Sequence, residues 1–152
     1  MLTRTEGKQL RLHTITIEDL VPEDHFLRKL ERHIDFSFIY HDTAGCYSEK
    51  TGRPSVDPII LIKYLLIGFL YGIESERRLE QEIRVNVAYR WFLGLDLDDT
   101  VPDHSTISQN RRRRFRETGL FRRLFEQVLL QCMNKGLITG HTILTDSTHI
   151  KA

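Results

Sequence analysis

From Glu23 to Ile34 the apolar residues Phe26, Leu27, Leu30 and Ile34 recur at steps of three and four. That spacing predicts an amphipathic helix with its apolar face opposite Arg28, Lys29, Glu31 and Arg32. Residues 1–22 have weaker periodicity, and Thr14, Ile15, Thr16 and Ile17 suggest an extended arm that ends at Pro22, a residue suited to a first helical turn. Asp35 to Tyr40 reads as a short helical turn over Phe36, Phe38 and Ile39, and Thr43 to Pro54 has the Gly, Ser and Pro content of a loop.

The most apolar run is Ile59 to Ile73. Asp57 can cap free amides ahead of it, and Pro58 at the first helical position loses no hydrogen bond. Its apolar residues (Ile59, Ile60, Ile62, Leu65, Leu66, Ile67, Phe69 and Leu70) lie on nearly every side, so a helix to about Tyr71 must be covered by its neighbours and forms the core of the domain. With Lys63 in its middle, and short of the roughly 20 apolar residues a membrane span needs, it is a buried central helix.

Gly72 can end that helix in a left-handed conformation, and Ser75 can cap a next one with Leu79 and Ile83 as its stripe. Asn86 interrupts or re-caps the chain before the aromatic, core-forming Val87 to Leu93, which Gly94 closes. The aspartates at 96, 98, 99 and 103 invite a calcium-loop reading, but the sixth position is Val101 instead of Gly and the twelfth Ile107 instead of Glu. They are better read as a solvated loop whose last Asp leads into a cap. Helices are predicted from Ser105 to about Arg116 and from Leu120 to about Asn134, the latter with Phe121, Leu124, Phe125, Val128, Leu129 and Cys132 on one face and Gly136 as its stop. After His141 the pattern turns β-rich: Ile143, Leu144 and Thr145 are strand formers, and Asp146 would project from a sheet. The predicted fold is all-α, a helical bundle with helix-turn-helix-like DNA-binding features, followed by one terminal β-strand.

A length of 152 residues, 40% of them hydrophobic and 28% charged, suits one globular domain plus an overhang. Met1 to Leu12 carries charges and no signal-length apolar run, which leads to the expectation of a cytoplasmic protein without a membrane partner. Cys46 and Cys132 lack any CxxC spacing and read as a loop thiol and a core thiol. The net charge of +1 hides an asymmetry: His104 to Arg123 holds seven arginines against Glu117, a block of +6, which leaves −5 for the rest. A polyanion responds to such local concentration.

The same block carries the candidate chemistry. Ser105, Thr106 and Ser108 can cap amides or touch phosphate, and Gln109 and Asn110 can pair with adenine edges. Arg111, Arg112, Arg113, Arg114 and Arg116 can meet guanine or phosphate. This composition suits a recognition helix entering a groove by its N-terminal end, although the eleven residues from Gly94 to His104 exceed a helix-turn-helix turn. Four phosphate contacts would give a log-log salt slope of roughly −3.6. Lys50, Arg53, Arg77, Arg78 and Arg84 are secondary candidates. An alternative stands beside this one: a solvated arginine-rich surface paired with acids from the −5 remainder. The seven histidines assemble no zinc quartet, His104 reads as a residue that caps or orients the arginine helix, and no Gly-rich phosphate loop or nucleophile elbow occurs. Asp146 by itself is open to two readings, a solvated residue or a metal-holding acid.

Four stretches in order, Gly52 to Pro58, Ser75 to Leu95, Pro102 to Ser108 and Thr145 to Ala152, resemble bacterial insertion-sequence transposases of the DDE type. The resemblance implies a helical N-terminal domain, residues 1–140, followed at 141–152 by the start of a truncated ribonuclease-H-like catalytic domain. It implies that Asp146 is the first catalytic and metal-binding acid of a triad whose other two members are absent here. In the intact family enzyme, Mg²⁺ held by three carboxylates activates water or a DNA 3′-hydroxyl. A lone acid is expected to hold no metal tightly and to cut no DNA. The implied partner is double-stranded DNA of the element's terminal repeats, with full-length transposase or a second copy as further partners and a bacterial, nucleoid-associated location. The competing expectation is an interaction module that joins a full-length transposase or a separate catalytic half and does not itself bind DNA.

Overall fold

The computed structural model describes residues 14–47, 55–115 and 119–136, the side chain of Arg114 aside. Most of the predicted N-terminal arm, Lys50, Arg53, Arg116 and the expected terminal strand with Asp146 lie outside the described residues. Those that are described form no strand; they fold into α1 (Ile17–Leu20), α2 (Phe26–His33), α3 (Phe38–Thr43) with a 3-10 turn (Ala44–Cys46), α4 (Pro58–Leu70), α5 (Glu76–Val85), α6 (Val87–Leu93), α7 (His104–Asn110) and α8 (Leu120–Asn134). None of these helices is long and apolar enough to cross a membrane.

Local capping chemistry sets many of the boundaries. Asp57 accepts the amide of Ile59 at 2.7 Å, with Pro58 at the first position, and its other oxygen accepts the Tyr40 hydroxyl at 2.6 Å, joining α3 to the start of α4. Ser75 caps α5 through the amide of Arg78. Asn86 does double duty: its amide donates to Glu82 O to close α5, while its Oδ1 accepts from Ala88 and Tyr89 to open α6. Gly94, at φ +73°, ends α6 with the amide of Leu95 reaching back to Arg90 O, the reversal that a residue free of Cβ permits. Pro22 starts no helix; the chain turns there, and His25 caps α2 by accepting the amide of Leu27 at 3.2 Å. Ile17, expected in an extended arm, begins α1, where Asp19 Oδ2 accepts the Thr16 amide at 2.9 Å and its hydroxyl at 2.6 Å while the Asp19 amide donates to Thr16 O.

The expected central helix, α4, buries Leu61, Ile62, Tyr64 and Ile67, but the seven-residue α6 is the hub, packing on α1, α2, α4 and α5. Phe36 meets Phe92 edge-on, ring centres 6.0 Å apart. Lys63, the one cation in the apolar run, is buried with its ammonium 5.0 and 4.9 Å from those two rings and 2.7 Å from Glu31. A cation over aromatic faces with a carboxylate partner is a satisfied buried charge. Burial also pushes the Tyr64 phenol up, and its hydroxyl donates toward Glu76 O at the start of α5. Gly68 lets α4 and α5 approach closely: a Cβ there would lie 2.9 Å from the Leu79 side chain.

Several residues depart from their periodic assignment. Arg28, expected on the polar face of α2, is 7% exposed: its guanidinium stacks 4.6 Å over Trp91, donates to the carbonyls of Val21 and Glu18, and pairs with the Glu18 carboxylate. The Trp91 indole donates to the same carboxylate, so Arg28 and then Trp91 hold the Glu18 carboxyl below its ordinary range. Phe26 and Phe69, read as core, are exposed, Phe69 by 84%. Of the apolar face expected on α8, Leu124 is buried with Leu120, whereas Phe121 and Phe125 face outward. The C-terminal end of α8 is tied down by polar bonds: Gln131 exchanges two hydrogen bonds with the Asp35 backbone, and Lys135 donates to His33 O.

Candidate nucleic-acid interface

α7 reaches its position by a linker of ten residues, 94–103, that is built and not slack. Leu95 and Val101 are buried at its two ends. Between them the buried Arg90 of α6 donates Nε to Asp96 O at 3.1 Å and Nη2 to the carbonyls of Asp96 and Asp99, the latter at 2.6 Å. The Asp side chains close turns locally, Asp99 accepting the amide of Asp96 and Asp96 that of Leu97. Asp96 and Asp99 thus serve the linker as local turn acceptors.

Asp103 caps α7 through the amide of Ser105 at 2.7 Å. The Ser105 hydroxyl first, then its amide, holds the Asp103 carboxyl below its ordinary range. Glu80 of α5, 6% exposed, reaches the first residue of α7: its Oε2 accepts both the His104 amide at 2.9 Å and His104 Nδ1 at 2.7 Å. A carboxylate only accepts, so Nδ1 is the protonated ring nitrogen in that contact. Burial pushes the Glu80 carboxyl up, but the two His104 bonds and the nearby Arg84 outweigh it and hold the group low. The role foreseen for His104, orienting the arginine helix, is what this geometry provides.

The helix predicted to run as one piece to Arg116 is α only to Asn110 and continues as a wider π-helical turn, Arg111–Phe115. Ile107 and Phe115 are both 1% exposed. An unbroken α-helix would carry Phe115 about 80° round from Ile107; a π turn rotates less per residue and returns it to the buried face. There Phe115 meets Phe121 of α8 edge-on at 6.5 Å.

That buried side defines the opposite, open one. Ser105, Gln109, Arg112 and Arg113 are exposed, and their spacing of four, seven and eight positions sets them along one side of the helix. Thr106, Ser108 and Asn110 are half-buried on its flank, and Asn110 spends its amide on Thr106 O at 2.8 Å. The cationic block is not uniformly free. Arg111 Nη2 lies 2.9 Å from Glu76 Oε1, Arg122 Nε 2.8 Å from Glu126, and Arg123 Nε 3.8 Å from Asp42. The Arg111 contact is an ion pair off the hydrogen-bonding line, since Glu76 Oε1 accepts no hydrogen bond among the described residues. Arg112 and Arg113 make no ion pair among the described residues. The alternative of an acid-paired arginine surface therefore describes Arg111, Arg122 and Arg123, and leaves Arg112 and Arg113. Arg77 and Arg78, exposed on α5, are not brought to α7 by any bond; Arg78 pairs with Glu82 at 3.6 Å.

The Glu76–Arg111 pair also walls a groove of about 310 Å³ between the end of α4 and the start of α5, with Leu65, Phe69 and Ile73 on its apolar side. Among the described residues one set of three ligating side chains lies close together, Glu80, Asp103 and His104. Its carboxylates already accept from His104, Arg84 and the Ser105 amide, and Mg²⁺ calls for oxygen ligands in octahedral array, so this set, with an imidazole as one of three, does not fit the three-carboxylate Mg²⁺ site that the resemblance implies. Glu80, Glu76 and Arg90 were missed in the sequence; an i, i+4 pair of glutamates on α5 is a signal only once α7 is known to pack there.

A family model described as "Transposase domain (DUF772)" matches residues 15–113, from the residues just before α1 through the open edge of α7. No curated protein and no solved structure matches the chain.

Proposed function

Because the chain belongs to the transposase domain family, we propose that it acts in DNA transposition by engaging double-stranded DNA at the ends of an insertion element through the open edge of α7. The observation that carries this reading is the pair of exposed arginines, Arg112 and Arg113, that follow Ser105 and Gln109 on one helix side and have no acid partner among the described residues. Arginines without counter-charges attract phosphate, and amides or hydroxyls beside them read base edges. α7, packed on α5 and joined to α6 by the arginine-pinned linker, then plays the part of a recognition helix in a helix-turn-helix-like arrangement. Arg77 is a secondary phosphate contact in this proposal, and Arg53, Arg114 and Arg116 are further phosphate-binding candidates by their sequence alone. Residues 1–140 form the helical DNA-engaging domain, and 141–152 open a ribonuclease-H-like one with Asp146 as an acid of its metal site.

The test is an equilibrium titration of a duplex carrying the element's terminal repeat, at several salt concentrations. The wild-type chain should bind with a steep negative salt slope, and Arg112→Ala with Arg113→Ala should flatten it by roughly 1.8. A slope near zero for the wild type rules the reading out. Strand chemistry is assayed separately: the 152 residues by themselves should leave supercoiled plasmid intact in Mg²⁺.

One observation favours a second reading, a module that docks on a full-length transposase: Phe121, Phe125, Leu130 and Met133 of α8 are exposed. Under it, Phe125→Ser abolishes co-purification with transposase while the arginine substitutions change nothing.

A further inference from the structure

We infer that Glu76 and Glu80 of α5 are positioning residues for DNA recognition, acting as a two-point clamp that sets the rotation of α7 about its own axis; the inference rests on the DNA-binding function proposed above. The two glutamates sit one turn apart on α5 and take hold of α7 at both ends. Glu80 grips its first residue, His104, by two hydrogen bonds, and Glu76 grips Arg111, the residue just past its last. These points are seven residues, about two turns, apart on α7.

A seven-residue helix has little stability of its own and takes its orientation from tertiary contacts. The apolar anchors of this segment, Ile107 and Phe115, lie on a single side. A greasy contact along one line holds a rod down but resists rolling poorly, whereas the two directional hydrogen bonds to His104 fix the roll and the Arg111 ion pair steadies the far end. The roll matters because one residue corresponds to about 100°. A modest rotation would carry Gln109 off the base edge it is proposed to read and still leave Arg112 and Arg113 near phosphate. Phosphate attraction is independent of sequence; reading bases needs orientation.

Charge and position therefore make opposite predictions. Removing an acid beside a cationic edge should, by charge alone, strengthen binding to every DNA. If the acids position α7, their loss weakens binding to the cognate duplex selectively.

The experiment compares a terminal-repeat duplex with a scrambled duplex of equal length, for wild type, Glu76→Gln, Glu80→Gln, Glu80→Ala and the Arg112→Ala/Arg113→Ala double variant. Far-ultraviolet circular dichroism before each titration gives the folded fraction by which affinities are scaled. Glu76→Gln at the half-open end is the variant least able to disturb folding. The clamp predicts that Glu80→Ala and Glu76→Gln lower the ratio of cognate to scrambled affinity about tenfold, the scale of one lost base contact, with the salt slope unchanged. Glu80→Gln keeps an acceptor for His104 and should recover part of the ratio. A rise in affinity for both duplexes alike, or an unchanged ratio, overturns the clamp while the double variant still reports on the arginines. Absence of salt-dependent binding by wild type overturns the clamp together with the DNA-binding function.

Discussion

Arg90 is the residue whose replacement should most sharply expose how α7 is carried. Its buried guanidinium makes three contacts to two backbone carbonyls, those of Asp96 and Asp99, in the linker ahead of α7. Hydrogen bonds to a charged group contribute about 1.5–3 kcal/mol each. The two contacts at Asp96 O share one acceptor, and both aspartates are exposed, so their carbonyls regain water when the linker loosens. Counting two effective bonds at the low end gives about 3 kcal/mol for Arg90→Ala, or a melting temperature lower by roughly 6–12 °C for a domain of this size. Urea and thermal unfolding followed by circular dichroism measure this, with emission from the neighbouring Trp91 as a local probe. Arg90→Lys keeps the charge but cannot fork across two carbonyls, and should recover less than half of the loss. A loss under about 1 kcal/mol for Arg90→Ala, or wild-type stability for Arg90→Lys, would refute the claim that this side chain organises the linker.

Three other outcomes follow from the same geometry. Gly94→Ala forces a Cβ onto a backbone at φ +73° and should destabilise by about 1 kcal/mol or more in urea unfolding. Asp57→Ala removes both the cap of α4 and the Tyr40 contact and should cost about 1–2 kcal/mol by the same measurement. The carboxyls of Asp19, Asp35, Glu80 and Asp103 are all held below their ordinary range by hydrogen bonds to their charged form. Their contribution is therefore complete above the unfolded carboxylate range, near pH 4–4.5, and is lost as pH falls through the lower folded values. Melting temperature should be level from about pH 6 upward through these groups and fall below about pH 4.5, a decline that Glu80→Gln should blunt.

What could be read in the sequence was what local chemistry decides. Asp57, Ser75, Asn86, Gly94 and Asp103 act within two or three residues of themselves, and each stands at the helix end where its side chain, or lack of one, placed it. α8 begins and ends where its periodicity does. What could not be read depends on partners far along the chain. Periodicity sets Arg28 among polar residues, but Trp91, 63 positions on, offers it an aromatic face, and the Val21 carbonyl needs a donor. Phe69 and Phe125 have the hydrophobicity of core residues on helix sides that nothing among the described residues covers. At the candidate interface, the Asp103 cap and the polar start of the helix were legible. The division of its arginines was not, because the acid that engages Arg111 is Glu76, 35 positions earlier. The π turn was hidden too: it follows from where Phe115 must go, not from the arginines that compose it.

The single asparagine between α5 and α6 leaves no slack at that elbow. One side chain finishing a helix and beginning the next welds the glutamate-bearing arm to the hub of the bundle, so a tilt of either is transmitted to the other. An extra residue inserted beside Asn86 would swing Glu76 and Glu80 away from α7 even if every apolar contact re-formed. Length variation among natural relatives should accordingly collect in the stretch after Gly94, and sequencing of related elements would reveal a gap-free corner followed by a tether of variable size.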